Sequence, residues 1–382
     1  MNRAIHPRVV QICDEPPIPS FFIRFREPIE ALGFDYASAR AEMILQAHVL
    51  RSGQTGFERS PLLSQADVVL FQRAYSDSAL DLFRSLRAVG KPLIYETDDF
   101  MPDLPVWSGL SLSARQRAGV VEMTRDADLV TCSTQALCDA LSEFSSNVRV
   151  IANYALPIPW KDVIDRLAGP PHLAIVNTDY FKLIRQKTGL FNAIEAAISR
   201  LGYNITFIGT IEPEMHRLQA TYPSQVRLET TFVAWHRHFL QRLSGFGVNV
   251  GVVPLEYDPA HRFKSDIKVL DFASLGAPCL VNNTAVYSKI VSGENGFVCD
   301  GSEEGWYRGL AFLADREARL RCGHRAHADA QARVLTDYAS EFQAAILSVY
   351  RPPHGVNDGS ATIEERPGPR LDPARSRGVN PP

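Results

Sequence analysis

No C-x-x-C pair occurs among the six cysteines, Cys13, Cys132, Cys138, Cys279, Cys299 and Cys322. Scattered in this way, they are expected as reduced core thiols, not as a zinc site or a disulfide framework. Long apolar runs are missing too: none reaches the ~18–20 residues that span a bilayer. The opening segment MNRAIHPRVVQICDEPPIPS lacks the apolar stretch of a secretory signal, so a cytoplasmic location is the expectation. Neither sign of charge is in excess, with 40 Lys plus Arg against 43 Asp plus Glu. Proteins that track phosphate backbones carry a strong basic surplus, so no nucleic-acid partner is expected. The motifs G-x-x-x-x-G-K-[ST], G-x-S-x-G and H-E-x-x-H are absent. Glycine is also absent from DEPPIPSF, after the first apolar run, where a dinucleotide fold needs it for the backbone to approach a pyrophosphate. NAD and FAD are therefore not expected.

What is present is a strand–helix rhythm. RVVQIC (8–13), DVVLFQ (67–72), PLIYE (92–96), DLVTC (128–132) and VRVIA (148–152) read as strands. Helical spacing fills Ser76–Val89 and Ser111–Thr124, and Ser133 reads as the N-cap of a helix over TQALCDALSEF. Such alternation means parallel sheets with helices on both faces. It breaks at ALPIPWKDVIDRLAGPP (155–171), which holds Pro157, Pro159, Pro170 and Pro171. It then resumes with HLAIVN (172–177), NITFIG (204–209), VRL (226–228), VNVGVVP (248–254), PCLVNN (278–283) and GFVC (296–299), followed by helices near 303–334 and 340–350. The 382 residues suit two domains at about 100–200 residues each. These are an α/β domain over 1–156, a linker at 157–171 and a second α/β domain over 172–339. The segment 352–382 has seven Pro, four Gly and no aromatics, and is expected to be a disordered tail.

Some features carry little. Asp126-Ala127-Asp128 matches the D-x-D of metal-dependent sugar transferases but precedes a strand, where helix-end solvation suffices. His236 and His238, two apart, should face opposite ways, while His324 and His327 should lie on a solvated helix face.

The informative stretch is RFKSDIKVLDFASLGAPCLVNNTAVYSKIVSGENGFVCD (262–300). A helix beginning at Ser265 or Asp266 and ending at Gly276 presents N–H groups, a serine hydroxyl, Lys268 and, just outside, Lys264. Helix-end partial charge and two cations make an anion site. Asp271, three residues beyond Lys268, shares its face and suits the two hydroxyls of a ribose. An ordinary capped amphipathic helix would show the same Lys–Asp spacing.

The run from Lys264 to Pro278, with Gly293-Glu294-Asn295-Gly296-Phe297 after it, resembles the nucleotide-sugar segment of retaining GT-B glycosyltransferases. That large family includes sucrose synthase-like and lipopolysaccharide transferases. Asp271 takes the place of the ribose-binding glutamate, and Phe263 stands where the fuller motif has a second one. FFIRFREPIEALG (21–33) resembles the family's acceptor-side first loop and helix, and ADVVLFQRAYSD (66–77) and KPLIYETDDFMPDLP (91–105) resemble a surface-polysaccharide subgroup. In NTDYFKLIRQKTGL (177–190), Lys187 matches a donor-phosphate lysine, and Lys182 or Arg185 stands near the usual arginine.

The resemblance implies two Rossmann-like doubly wound domains facing across a cleft, with a helix over 340–351 crossing back to the first. It further implies a metal-independent hexosyltransferase-type reaction, with no cofactor, that moves a sugar from a nucleoside diphosphate to an acceptor hydroxyl. Lys182, Arg185, Lys187, Lys264, Ser265, Lys268 and Asp271 would bind the donor. Lys187 and Lys268 would also act in catalysis, with Asp98 or Asp99 orienting the acceptor or serving as base. The acceptor would be a glycan or a lipid-linked or other hydroxyl. Phe21, Phe22 and Phe25 with Arg24 and Arg26 suit core packing, or else contact with a lipid-linked acceptor or a membrane surface at the inner face. Alternatives are a GT-B nucleotide-sugar epimerase and a non-catalytic GT-B partner that binds nucleotide or glycan.

Overall fold

Five apolar runs and one unannounced strand build the first sheet. The computed structural model describes residues 6–15, 19–45, 60–104, 110–177, 187–231, 233, 235–255 and 259–352. Strands β1 (Val9–Cys13), β2 (Tyr36–Arg40), β3 (Val68–Gln72), β4 (Leu93–Thr97), β5 (Leu129–Cys132) and β6 (Val148–Val150) run parallel in the order β2-β1-β3-β4-β5-β6. Every residue of β3, β4 and β5 is buried, which is why those runs lack polar alternation. The sequence YASAR of β2 offers little apolar surface; it is an edge strand held by its register with β1, Val9 opposite Tyr36.

The second sheet contains β7 (His172–Asn177), β8 (Asn204–Gly209), β9 (Val226–Glu229), β10 (Val250–Val253), β11 (Cys279–Asn282) and β12 (Gly296–Cys299). Its parallel order is β12-β11-β10-β7-β8-β9. Both sheets carry helices on both faces. On one face of the first sheet, Leu82, Phe83, Val120 and Met123 from helices Asp77–Ala88 and Ala114–Asp126 cover Val69, Phe71 and Tyr95. The other face packs Phe25 and Ile29 together with Tyr338, Phe342 and Ile346 of the last helix, Leu335–Val349. Each such apolar side chain contributes roughly 1.5–3 kcal/mol on burial. The helix that follows the second sheet is thereby anchored on the first.

Three local expectations are corrected. Thr134, not Ser133, caps the helix Gln135–Leu141, accepting from Leu137 N–H at 3.2 Å. The proline-flanked 157–171 segment contains a helix, Trp160–Ala168, with Pro159 at its N-cap, because the prolines bracket WKDVIDRLA without interrupting it. Its Val163 packs so closely on Gly276 (φ +65) that a Cβ there would overlap it. His327, expected on a solvated face, is buried and donates from Nε2 to the Ile158 carbonyl at 2.7 Å; His324 is exposed. All six cysteines are free thiols. Phe21, Phe22 and Phe25 are buried in the core, so they present no apolar surface to a membrane. No helix among the described residues is long and apolar enough to cross one. The expected tail lies outside the described residues except for Pro352.

Candidate functional site

In open parallel sheets, ligands lie beyond the strand C-termini where neighbouring connections diverge. In the first sheet this is between β1 and β3, which the chain leaves at Asp14-Glu15 and at Arg73. In the second it is between β7 and β10, which lead into residues 178–186 and towards Lys264. Asp98, Asp99, Lys264 and Lys268 fall at these two crevices.

Arg73 organises the first crevice. Its φ of +48° makes it the one non-glycine with positive φ among the described residues, a conformation that costs on the order of 1–3 kcal/mol. Its guanidinium bonds Asp98 at 3.0 Å and Asp99 at 2.8 Å, and Glu15 lies 3.7 Å away. Asp14 accepts the N–H groups of Tyr75 and Ser76 at 2.7 Å, fixing the turn that follows. The second oxygen of Asp99 accepts from Lys264 Nζ at 2.6 Å, joining the first sheet's loops to the second's. Burial pushes Asp99 up, but Lys264 and Arg73 outweigh it and hold the carboxyl well below the usual range. Burial raises Glu15 despite Arg73.

The helix that follows β10 is Ile267–Ser274, with Asp266 at its N-cap and Gly276 in the left-handed region just past its end. The Asp266 backbone carbonyl accepts from Leu270 at 3.0 Å, while its carboxylate pairs with Arg333 instead of capping. The first-turn N–H groups thus have no intrahelical acceptor. Lys264, Ser265 and Lys268 are half-buried around that end. Lys268 donates to the Val176 carbonyl on β7 at 3.2 Å, so it spans the β7–β10 crevice. Burial, and then repulsion from Lys264, lower its pKa to about 8. Lys187 opens the helix Lys187–Leu201, although its side chain, like all of Lys182 and Arg185, lies outside the described residues. Phe263 stacks on Phe100 at 4.7 Å and is buried in the first sheet's core. An apolar pin between the halves thus stands where the family motif has a glutamate.

Glu27, Arg73 and Glu15 were not singled out from the sequence, and His236 was considered there only for its facing relative to His238. The Asp271 carboxylate, 13% exposed, takes His236 Nε2 at 2.7 Å. The His236 ring is 2% exposed, its Nδ1 lies 3.5 Å from Glu27 Oε2, and that same oxygen accepts from the Tyr154 hydroxyl at 2.7 Å. His236 and His238 do face apart: His238 is exposed beside Trp235 at 4.1 Å. No spacing signal links Glu27, Tyr154, His236 and Asp271, which come from four distant segments. Among the described residues, no group of three or more His, Cys, Asp or Glu side chains is placed to hold a metal ion.

Burial lowers the His236 pKa, but Asp271 and Glu27 more than offset this and raise it to about 9. An unfolded histidine titrates near 6.5. The charged ring therefore stabilises the fold fully below about 6.5, and the effect is lost as pH rises through about 9. Between those limits, denaturant unfolding should show the parent losing stability relative to His236→Gln. Lys268 acts in the opposite sense above about 8 but is common to both proteins. A pH-independent difference between the two would contradict the charged ring.

No protein-family model matches the chain, and no curated sequence matches it. Solved structures do. Sucrose-phosphate synthase from Thermosynechococcus elongatus superposes with a TM-score of 0.60 at 14% identity, covering 90% of this chain and 99% of that one. A trehalose-6-phosphate protein from E. coli, solved with UDP-2-fluoro glucose, gives 0.57 at 12% identity over 89% and 98%. A protein assigned as a UDP-N-acetylglucosamine 2-epimerase from Listeria monocytogenes gives 0.54 at 13% identity over 90% and 96%. The two six-stranded parallel sheets with flanking helices define a GT-B fold, with two Rossmann-like domains.

Proposed function

We propose that the chain is a glycosyltransferase that moves a sugar from a nucleoside diphosphate to an acceptor hydroxyl. The observation that carries this reading is Lys264 and Lys268 about the start of one helix, Lys268 reaching β7 across the crevice, with Asp271 one turn further along that helix. The sugar-nucleotide ligand of the E. coli neighbour fits it.

Charge grows on the diphosphate as the glycosidic bond breaks, and preorganised cations in a partly dry crevice lower that barrier. Lys268 is placed for this, with Lys264 and the helix N–H groups beside it; Lys182, Arg185 and Lys187 would supply the rest. Asp271 would accept the ribose hydroxyls. The acceptor would lie against Asp98 and Glu15. Asp99, gripped by two cations, is too weak a base to take a hydroxyl proton at neutral pH and instead holds Lys264. Retention of configuration, with the leaving phosphate receiving the proton, is the course that the family resemblance implies. Surface-glycan synthesis at the cytoplasmic side of a membrane is the setting it suggests.

Phe263 favours a second reading, a non-catalytic nucleotide binder, because it leaves the donor sugar without the family's carboxylate. The epimerase reading rests on the Listeria neighbour's fold. A thermal-shift series with UDP, ADP, GDP and CDP tests the donor site. At least one should raise Tm by several degrees at about 100 Kd, equally with and without EDTA. No shift with any of them would contradict the reading, and a shift abolished by EDTA would contradict metal independence.

A further inference from the structure

We propose that His236 is a positioning residue: it sets the Asp271 carboxylate for the donor ribose and ties the donor helix to Glu27 on the first-sheet half of the molecule. This rests on the donor reading of Asp271 given above and adds to it how that carboxylate is aimed.

The geometry is specific. His236 is the first residue of helix His236–Gly245, and its buried ring stands between two carboxylates from different halves of the chain. Nε2 meets Asp271 Oδ1 at 2.7 Å and Nδ1 faces Glu27 Oε2 at 3.5 Å. Carboxylates only accept, so Asp271 takes the Nε2–H of the ring, whereas Nδ1 makes no hydrogen bond and meets Glu27 across 3.5 Å by charge alone. Glu27 is itself fixed by the Tyr154 hydroxyl. The preceding Trp235 stacks on Phe22 at 6.2 Å, with Arg26 5.1 Å above the indole, so the segment is packed against the first half before the histidine reaches the second. Among the described residues, the charged or titratable groups that face its partners are Arg237 towards Glu27, Tyr338 beside Tyr154, and Lys268 towards Asp271.

The consequence concerns Asp271. With Oδ1 committed to His236, Oδ2 has no hydrogen-bond partner among the described residues. A carboxylate held by one oxygen in one rotamer meets a pair of hydroxyls without paying for its own ordering. That matters more for an aspartate than for a longer glutamate, since its reach leaves less room for adjustment.

A buried ion triad that merely staples the domains would affect every ligand alike, whereas a device that aims Asp271 should act only on ligands carrying ribose hydroxyls. The test is calorimetric titration of the full chain with UDP, ADP and GDP, each beside its 2′,3′-dideoxy counterpart. For whichever base binds, the parent should prefer the ribose form. His236→Ala should lose roughly tenfold on the ribose form and little on the dideoxy form. His236→Gln, whose amide still donates to Asp271, should recover part of that loss and covers the case in which the alanine variant does not fold. An equal loss on both forms, or no loss on either, would overturn the proposal. Asp271→Asn separates the two levels. If it retains the ribose preference, the donor assignment of Asp271 fails; if it loses the preference while His236→Ala and His236→Gln keep it, only the positioning role fails.

Discussion

Lys268→Met should cut the rate of sugar transfer by about 10²–10³-fold while nucleoside diphosphate affinity changes by about tenfold or less. The methionine keeps the apolar stem, so the half-buried site stays filled and only the cation is lost. Binding falls little because the helix N–H groups and Lys264 remain near the ground-state phosphates. Catalysis falls far because the departing diphosphate gains charge that Lys268 no longer meets. A pH signature accompanies this. Lys268 has its pKa lowered to about 8, so the free site loses its proton above that pH and affinity for a nucleoside diphosphate should decline there. Lys268→Met should show a flatter affinity profile above about 8. Parallel losses in KM and kcat/KM with kcat unchanged would place Lys268 in ground-state binding only.

Asp271→Ala should weaken nucleoside diphosphate binding by about 10- to 150-fold, the worth of hydrogen bonds to a charged acceptor. It should also destabilise the fold by roughly 2–4 kcal/mol, because His236 keeps Glu27 but loses its closest counter-charge. Asp271→Asn separates these effects: its amide oxygen can still accept from His236, so stability should suffer less while ribose binding drops. Asp271→Glu should be mildly harmful, since the added methylene crowds the His236 contact. Unchanged affinity in folded Asp271→Ala would leave an ordinary capped helix in place of the donor site.

How much of this was legible depended on sequence distance. DVVLFQ, PLIYE and DLVTC read as strands from their apolar, β-rich runs, and the strands they form are buried throughout. YASAR did not, because an edge strand held by register has little burial to advertise. Helix 160–168 was masked by flanking prolines that cap and follow it without entering it. Lys264, Ser265, Lys268 and Asp271 could be grouped because they lie within eight consecutive residues, at the start of one helix and along its first two turns. Arg73 with Asp98 and Asp99, Asp99 with Lys264, and Glu27 with His236 and Asp271 are joined only by the packing of separate loops. No local period encodes such contacts. Phe263 was visible as a departure from the family motif, but its role as a pin on Phe100 required the tertiary structure.

The most direct test is to incubate the purified chain with a panel of nucleotide sugars, without acceptor, and to resolve the products by chromatography. A glycosyltransferase with this donor site should slowly release a nucleoside diphosphate and free sugar from one of them, and Lys268→Met should suppress that release. Conversion to an epimeric nucleotide sugar with no diphosphate released, or tight binding with no turnover at all, would contradict it.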